Sequence, residues 1–192
     1  MFAVSENSGY FNRLYLECIS CISQTDSLHF SPLDDLIFNP RRMGQSLVQN
    51  YLHVTFSTKH RLPLIRPSIE SELHAYLGGI LGHLECKPIT IGGTEDHVHI
   101  LFLLSQKIAL MKVLEEIKNH SSKWIKTKGP EFRQFYWQRG YGAFSVKSQD
   151  VETVRQYIAN QHDHHRHISF QDEYRRFLQE YQIEYDERYV WD

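Results

Sequence analysis

At 192 residues with 41% apolar content, the chain is long enough to bury one core and too short for several domains. A formal charge of −2 excludes a uniformly basic nucleic-acid coat, and three cysteines exclude a disulfide scaffold. No apolar run approaches the roughly 20 residues that cross a bilayer, and Phe2-Ala3-Val4 lacks the basic-then-apolar order of a leader, so the default expectation is the cytoplasm.

Residues 1–42 show no sustained period and end in Asn39-Pro40-Arg41-Arg42 before Met43. They read as a poorly ordered N-terminal extension, with Met43 as an alternative initiator. Cys18-Ile19-Ser20-Cys21 in this stretch has no second pair to make a zinc site. Regular patterning begins at Gln45, which sets a folded domain over 43–182 and a C-terminal tail over 183–192. Residues 50–58 are β-branched and aromatic and predict a strand. Ile69, Leu73, Tyr76, Leu77, Ile80, Leu81 and Leu84 recur at three and four and predict a helix over 68–84. Strands are expected over 87–92 and from His97 onward, joined as a hairpin at Gly92-Gly93. A second helix over 108–127 turns Leu110, Val113, Leu114, Ile117, Ser121, Trp124 and Ile125 inward. Residues 135–146 read as one strand broken at Gly140 and Gly142. Helices over 149–165 and 169–181 follow, the latter capped at Ser169. The order β-α-β-β-α-β predicts an α+β, ferredoxin-like (split βαβ) fold: a four-stranded antiparallel sheet with helices on one face, then C-terminal helices.

On a strand, His97 and His99 share a face and Val98 opposes them. The spacing admits two readings, a buried polar pair or two ligands for one cation. On the third helix Tyr157 and Gln161 are four apart and share a face, while Val151, Val154 and Ile158 supply apolar contacts. Alone, Tyr157 reads as a core or interface aromatic and Gln161 as a solvated helix residue. His164 and His165 read as a polar helix end. Residues 97–147 hold nine Lys/Arg against three Asp/Glu, whereas 172–192 hold three Arg against seven Asp/Glu. The middle of the chain can therefore present a basic surface.

Five segments together carry a resemblance. They are 46–59 (SLVQNYLHVTFSTK), Asp96-His97-Val98-His99, 118–124 (KNHSSKW), 137–145 (WQRGYGAFS), and Tyr157 with Gln161. In order and spacing they resemble the single-tyrosine transposases of the IS200/IS605 type, including the repeat-associated tyrosine transposases, within the His-hydrophobe-His (HUH) endonucleases. The likeness covers about residues 45–165.

The resemblance implies that His97, His99 and Gln161 hold a divalent cation. It implies that Tyr157 attacks a scissile phosphate to leave a 5′-phosphotyrosine and a free 3′-OH. Mg2+ or Mn2+ is the cation it implies, although imidazoles by softness suit Zn, Mn or Ni better than Mg. It further implies a homodimer, with active sites that can be shared between subunits, and single-stranded DNA hairpins as the target. Lys112, Lys118, Lys123, Lys126 and Lys128 are the basic-surface candidates, with Ser122, Arg139 and Tyr141 as further DNA contacts. Two other readings stand beside this one. A domesticated relative would bind structured DNA or RNA without cleaving it, and a hydrolytic metalloenzyme would turn over a small substrate without any DNA adduct.

Overall fold

A computed structural model of the chain describes residues 46–191. The expected extension over 1–42 and the alternative start at Met43 lie outside the described residues. The elements run β1 (Tyr51–Ser57), α1 (Pro67–His83), β2 (Lys87–Gly93), β3 (His97–Leu103), α2 (Leu110–Ile125), β4 (Gly142–Val146), α3 (Val151–Ala159), α4 (Gln161–His164) and α5 (Phe170–Glu180). Every neighbouring pair in the sheet is antiparallel and the strand order is β2-β3-β1-β4. That is the ferredoxin-like plan, with β3 central as expected.

Strand alternation divides the molecule into two layers of burial. Leu52, Val54 and Phe56 on β1 stand opposite Phe102, Ile100 and Val98 on β3. This apolar face packs against Ile69, Leu73, Leu77 and Leu81 of α1 and against Val113, Leu114, Ile117 and Ile125 of α2. Pro67 opens α1, where its missing N–H has no partner to lose. The other face carries His53, Thr55 and Ser57 opposite Leu101, His99 and His97. The C-terminal helices cover it, with Phe144, Phe170, Tyr174 and Leu178 forming a second apolar cluster. The sheet is therefore sandwiched, crossover helices on one side and C-terminal helices on the other. Among the described residues no helix is long and apolar enough to cross a membrane.

Two elements differ from the sequence expectation. The helix expected over 149–165 breaks at Asn160, whose φ/ψ of −99°/17° is off the helix, and resumes as the single turn α4. Asparagine tolerates such a conformation and breaks helices for that reason. The strand expected over 135–146 is regular only over β4. Upstream, Trp137 alone bridges Thr58, while Phe135 and Trp137 turn into the core, where the Trp137 ring meets both Phe135 and Phe56. Lys118 holds the bend between, donating to the carbonyls of Gln138, Arg139 and Gly140 at 3.1, 3.1 and 2.7 Å.

Candidate active site

The site grows from the polar face of β1 and β3. Burying histidine on a central strand requires partners for its ring nitrogens. His97 Nδ1 lies 2.7 Å from Asp96 Oδ1 and 3.0 Å from Thr94 Oγ1. Arg61 donates twice to the second oxygen of Asp96, at 3.0 and 2.6 Å. Burial raises the Asp96 pKa, but the contacts with His97 and Arg61 outweigh it and hold that carboxyl down to about 2. A carboxylate behind His97 fixes Nδ1 as the donor and leaves Nε2 with a free lone pair. His99 repeats the arrangement with an imidazole in the carboxylate's place: its Nδ1 lies 2.9 Å from His53 Nε2, and the two rings stack at 5.1 Å. Burial, reinforced by His99, lowers the His53 pKa to about 3. Burial also lowers His99 to about 4, against the pull of Glu173. Both rings are neutral, and His99 Nε2 is buried without a hydrogen-bond partner.

The break at Asn160 brings Gln161 down onto this pair. Its Oε1 lies 3.5 Å from His97 Nε2, and its side chain is buried. Tyr157 reaches the same place from α3, its ring centroid 6.0 Å from that of His99. The tyrosine thus faces the histidine pair of its own chain. The three donors named from the sequence, His97, His99 and Gln161, are brought together with Tyr157. Two imidazole nitrogens, one of them the buried and unpartnered His99 Nε2, and an amide oxygen are a donor set that suits a divalent cation.

Glu173 and His165 are additions that the sequence reading missed. Glu173 comes from α5, is 3% exposed, and accepts hydrogen bonds from the Tyr157 hydroxyl and, at 3.2 Å, from Gln161 Nε2. Its other oxygen, Oε2, lies 3.3 Å from His99 Nε2 and 3.5 Å from His165 Nε2. Burial raises its pKa, but His165, His99 and Tyr157 together bring it well below the usual carboxylate range. Burial and the adjacent Glu173 charge in turn push Tyr157 far above an ordinary phenol. The signal for Glu173 was present: it interrupts the Phe170, Tyr174, Phe177, Leu178 stripe of α5 at an inward position. His53 was equally legible as the polar residue beside Leu52 and Val54.

Access to His97 runs through a cavity of about 310 Å3 lined by Arg61, Asp96, His97, His165, Arg166 and Phe170 among others. The expected DNA contacts are dispersed. Lys112 is ion-paired to Glu116 at 2.7 Å and Glu115 at 3.0 Å. Lys118 is the brace described above, and Lys128 pairs with Glu72. Ser122 donates to the Phe135 carbonyl at 3.2 Å. Lys123 is exposed. Lys126 lies over the Tyr136 ring at 3.5 Å, and Lys118 over the Tyr141 ring at 5.5 Å. Arg139 lines a second cavity, of about 460 Å3, with Lys59, His60, Tyr136, Trp137 and Gln138.

A His-hydrophobe-His pair on the central strand of a ferredoxin-like sheet, with a helix-borne tyrosine turned toward it, places the protein among the HUH endonucleases that use one tyrosine. The family described as IS200-like transposase matches residues 46–161, and the chain belongs to that family. Among solved structures, the chain is similar to a protein assigned as a transposase from Deinococcus radiodurans R1, at 19% identity and a TM-score of 0.49, over 62% of this chain and 97% of that one. It is also similar to a REP-associated tyrosine transposase bound to a REP hairpin, at 12% identity and a TM-score of 0.48, over 63% of this chain and 72% of that one. Among curated proteins, none matches.

Proposed function

We propose that this transposase nicks and rejoins single-stranded DNA at hairpin-bearing ends through a 5′-phosphotyrosine on Tyr157. The observation that carries the reading is the convergence of Tyr157 with His97, His99 and Gln161 inside one chain. A divalent cation, Mg2+ or Mn2+, on the two Nε2 atoms and Gln161 Oε1 would polarise the phosphate and offset charge growing on its oxygens. Asp96 and His53 orient the histidines. Arg166, exposed and paired only to the exposed Asp163, stands in the cavity beside His97 where it can turn to the phosphate, whereas Arg61 is held by Asp96. Tyr157 Oη forms a bond to phosphorus, its proton leaves, the bond to the 3′ oxygen breaks, and that oxygen ends protonated. The phosphotyrosine keeps the phosphodiester energy, so a later 3′-OH can reverse the step and join a strand without ATP. The substrate is the hairpin DNA of the element's own ends, met in the cytoplasm. The assembly this reading implies is a homodimer, with active sites that can be shared between subunits.

The test is incubation with labelled single-stranded DNA from the flanks of the protein's own gene, with Mg2+ or Mn2+, on a denaturing gel. The expected result is a covalent adduct in wild type and none in Tyr157→Phe, with hairpin binding equal in both. An adduct in Tyr157→Phe would remove Tyr157 as nucleophile. Hairpin binding with no adduct in wild type would favour the non-cleaving regulator.

A further inference from the structure

We infer that His165 and Glu173, which lie beyond the family match, are ligands of the same cation as His97 and His99, making a three-histidine, one-carboxylate site. This rests on the reading that the histidine pair holds a cation, and it changes the coordination shell and the class of metal.

The argument starts from the tautomers. His165 Nδ1 lies 2.9 Å from the Ile168 carbonyl, so that nitrogen carries the proton and donates it. The neutral ring then presents a bare lone pair at Nε2. That lone pair faces Glu173 Oε2, an acceptor, at 3.5 Å, and His99 Nε2 faces the same oxygen at 3.3 Å. None of these three buried atoms has a hydrogen-bond partner. If His99 likewise carries its proton on Nδ1, donating to His53 Nε2, three acceptors turn toward one point away from water, which is unfavourable unless something positive lies between them. The donor atoms of His97, His99, His165 and Glu173 all lie within 4.8 Å of one another. Two ligands each about 2.0–2.2 Å from a cation are separated by roughly 3.0–3.5 Å along an edge of a tetrahedron or octahedron. Glu173 Oε2 stands at 3.3 and 3.5 Å from the two Nε2 atoms, and the rest of the set, within 4.8 Å, closes by small side-chain shifts.

Glu173 divides its two oxygens between tasks. Oε2 turns to the histidines, while Oε1 accepts from Tyr157 and Gln161. His164 Nε2 approaches only Oε1, at 3.2 Å, and so stands outside the shell. Three imidazoles with one carboxylate favour a first-row transition cation such as Mn2+ or Zn2+ over Mg2+.

Two alternatives would satisfy the same atoms: a proton on His165 Nε2, making an ion pair with Glu173 that lifts the His165 pKa, and a neutral His99 whose proton sits on Nε2 and is donated to Glu173 Oε2. Cation binding to full-length protein separates both from the four-ligand shell. Apo protein is titrated with Zn2+ or Mn2+ by calorimetry, in wild type, His97→Ala, His99→Ala, His165→Ala and Glu173→Gln. The expected result is one site in wild type, binding lost in the first two variants, and affinity reduced by more than about 100-fold in each of the last two, beyond the about 10–100-fold that an outer-shell partner contributes. Wild-type affinity in both His165→Ala and Glu173→Gln, with binding lost in His97→Ala, would overturn the four-ligand shell and leave the histidine pair standing. No stoichiometric binding by wild type would overturn both. X-ray absorption on wild-type protein loaded with Zn2+ needs no variant to fold: three imidazoles support the shell, and two overturn it.

Discussion

His53 and His99 are held neutral by their surroundings, and that has a consequence for stability. The unfolded rings titrate near 6.5, whereas burial lowers them to about 3 and about 4 in the folded chain. Below pH 6.5 the unfolded chain therefore takes up protons that the folded chain refuses. Their contribution is complete above that pH and declines as pH falls toward about 4, by up to ~1.4 kcal/mol per pH unit for each ring. In protein without a cation His165 has the opposite sign. Burial opposes its charge but Glu173 lifts it above the usual value, so its contribution is present below pH 6.5 and fades as pH rises through its higher folded pKa, and a cation held by His165 Nε2 would abolish it. Urea midpoints measured from about pH 7 down to about pH 5 should fall in wild type, and His53→Gln should flatten the slope. An unchanged slope in that variant would show that His53 is already charged in the folded protein.

At the scale of elements, the position of Tyr157 depends on how closely α3 lies against the sheet. A Cβ at Gly92 of β2 would stand 2.5 Å from the Ile158 carbonyl and 2.9 Å from its Cγ2, so the helix must move if Gly92 gains a side chain. Gly92→Ala should destabilise by ~1–3 kcal/mol, as overpacking does. It should also lower the yield of Tyr157 adduct, because Ile158 is the neighbour of the nucleophile. Gly79, on α1, has nothing within 4 Å of its would-be Cβ, and Gly79→Ala should stabilise by ~0.5–1 kcal/mol through helix propensity alone. Opposite signs in the two denaturation curves would confirm that close approach, and a neutral Gly92→Ala would refute it. These elements also mark what the sequence made legible. Period-two and period-3.6 patterns carry β1, β3, α1 and α2, because burial on one face imposes them. The kink at Asn160 left no such trace, since one residue with non-helical dihedrals does not disturb the apolar stripe around it. Tyr157 and Gln161 were found at helical spacing, yet the bend falls between them and decides how Gln161 meets His97. The apolar stripe of α5 marks Glu173 as inward-facing, but its partners, and those of His165, depend on α5 folding back over the sheet, a long-range contact that no local period encodes.

For the molecule as a whole, a net charge of −2 means that DNA attraction must come from local arrangement. The described lysines differ in what they have left to offer. Lys118 donates to three carbonyls, and burial lowers its pKa to about 8. It is a brace for the 138–140 bend, and Lys118→Met should lose stability, ~1–3 kcal/mol, with little change in the salt dependence of DNA binding. Arg139 lines the cavity shared with Lys59, His60 and Tyr136, and Lys126 lies over the Tyr136 ring at that cavity's wall. A cation beside an exposed aromatic offers a phosphate contact next to a surface on which an unpaired base can stack. Arg139→Ala and Lys126→Ala should each reduce the slope of log K against log salt by about 1, with stability unchanged. Tyr136→Ala should weaken binding by ~1–3 kcal/mol without altering that slope, since stacking releases no counterion. Fluorescence anisotropy of a labelled hairpin across a salt series reads both quantities. If Lys118→Met lowers the slope as much as Arg139→Ala does, the strand path runs over α2 instead of through this cavity.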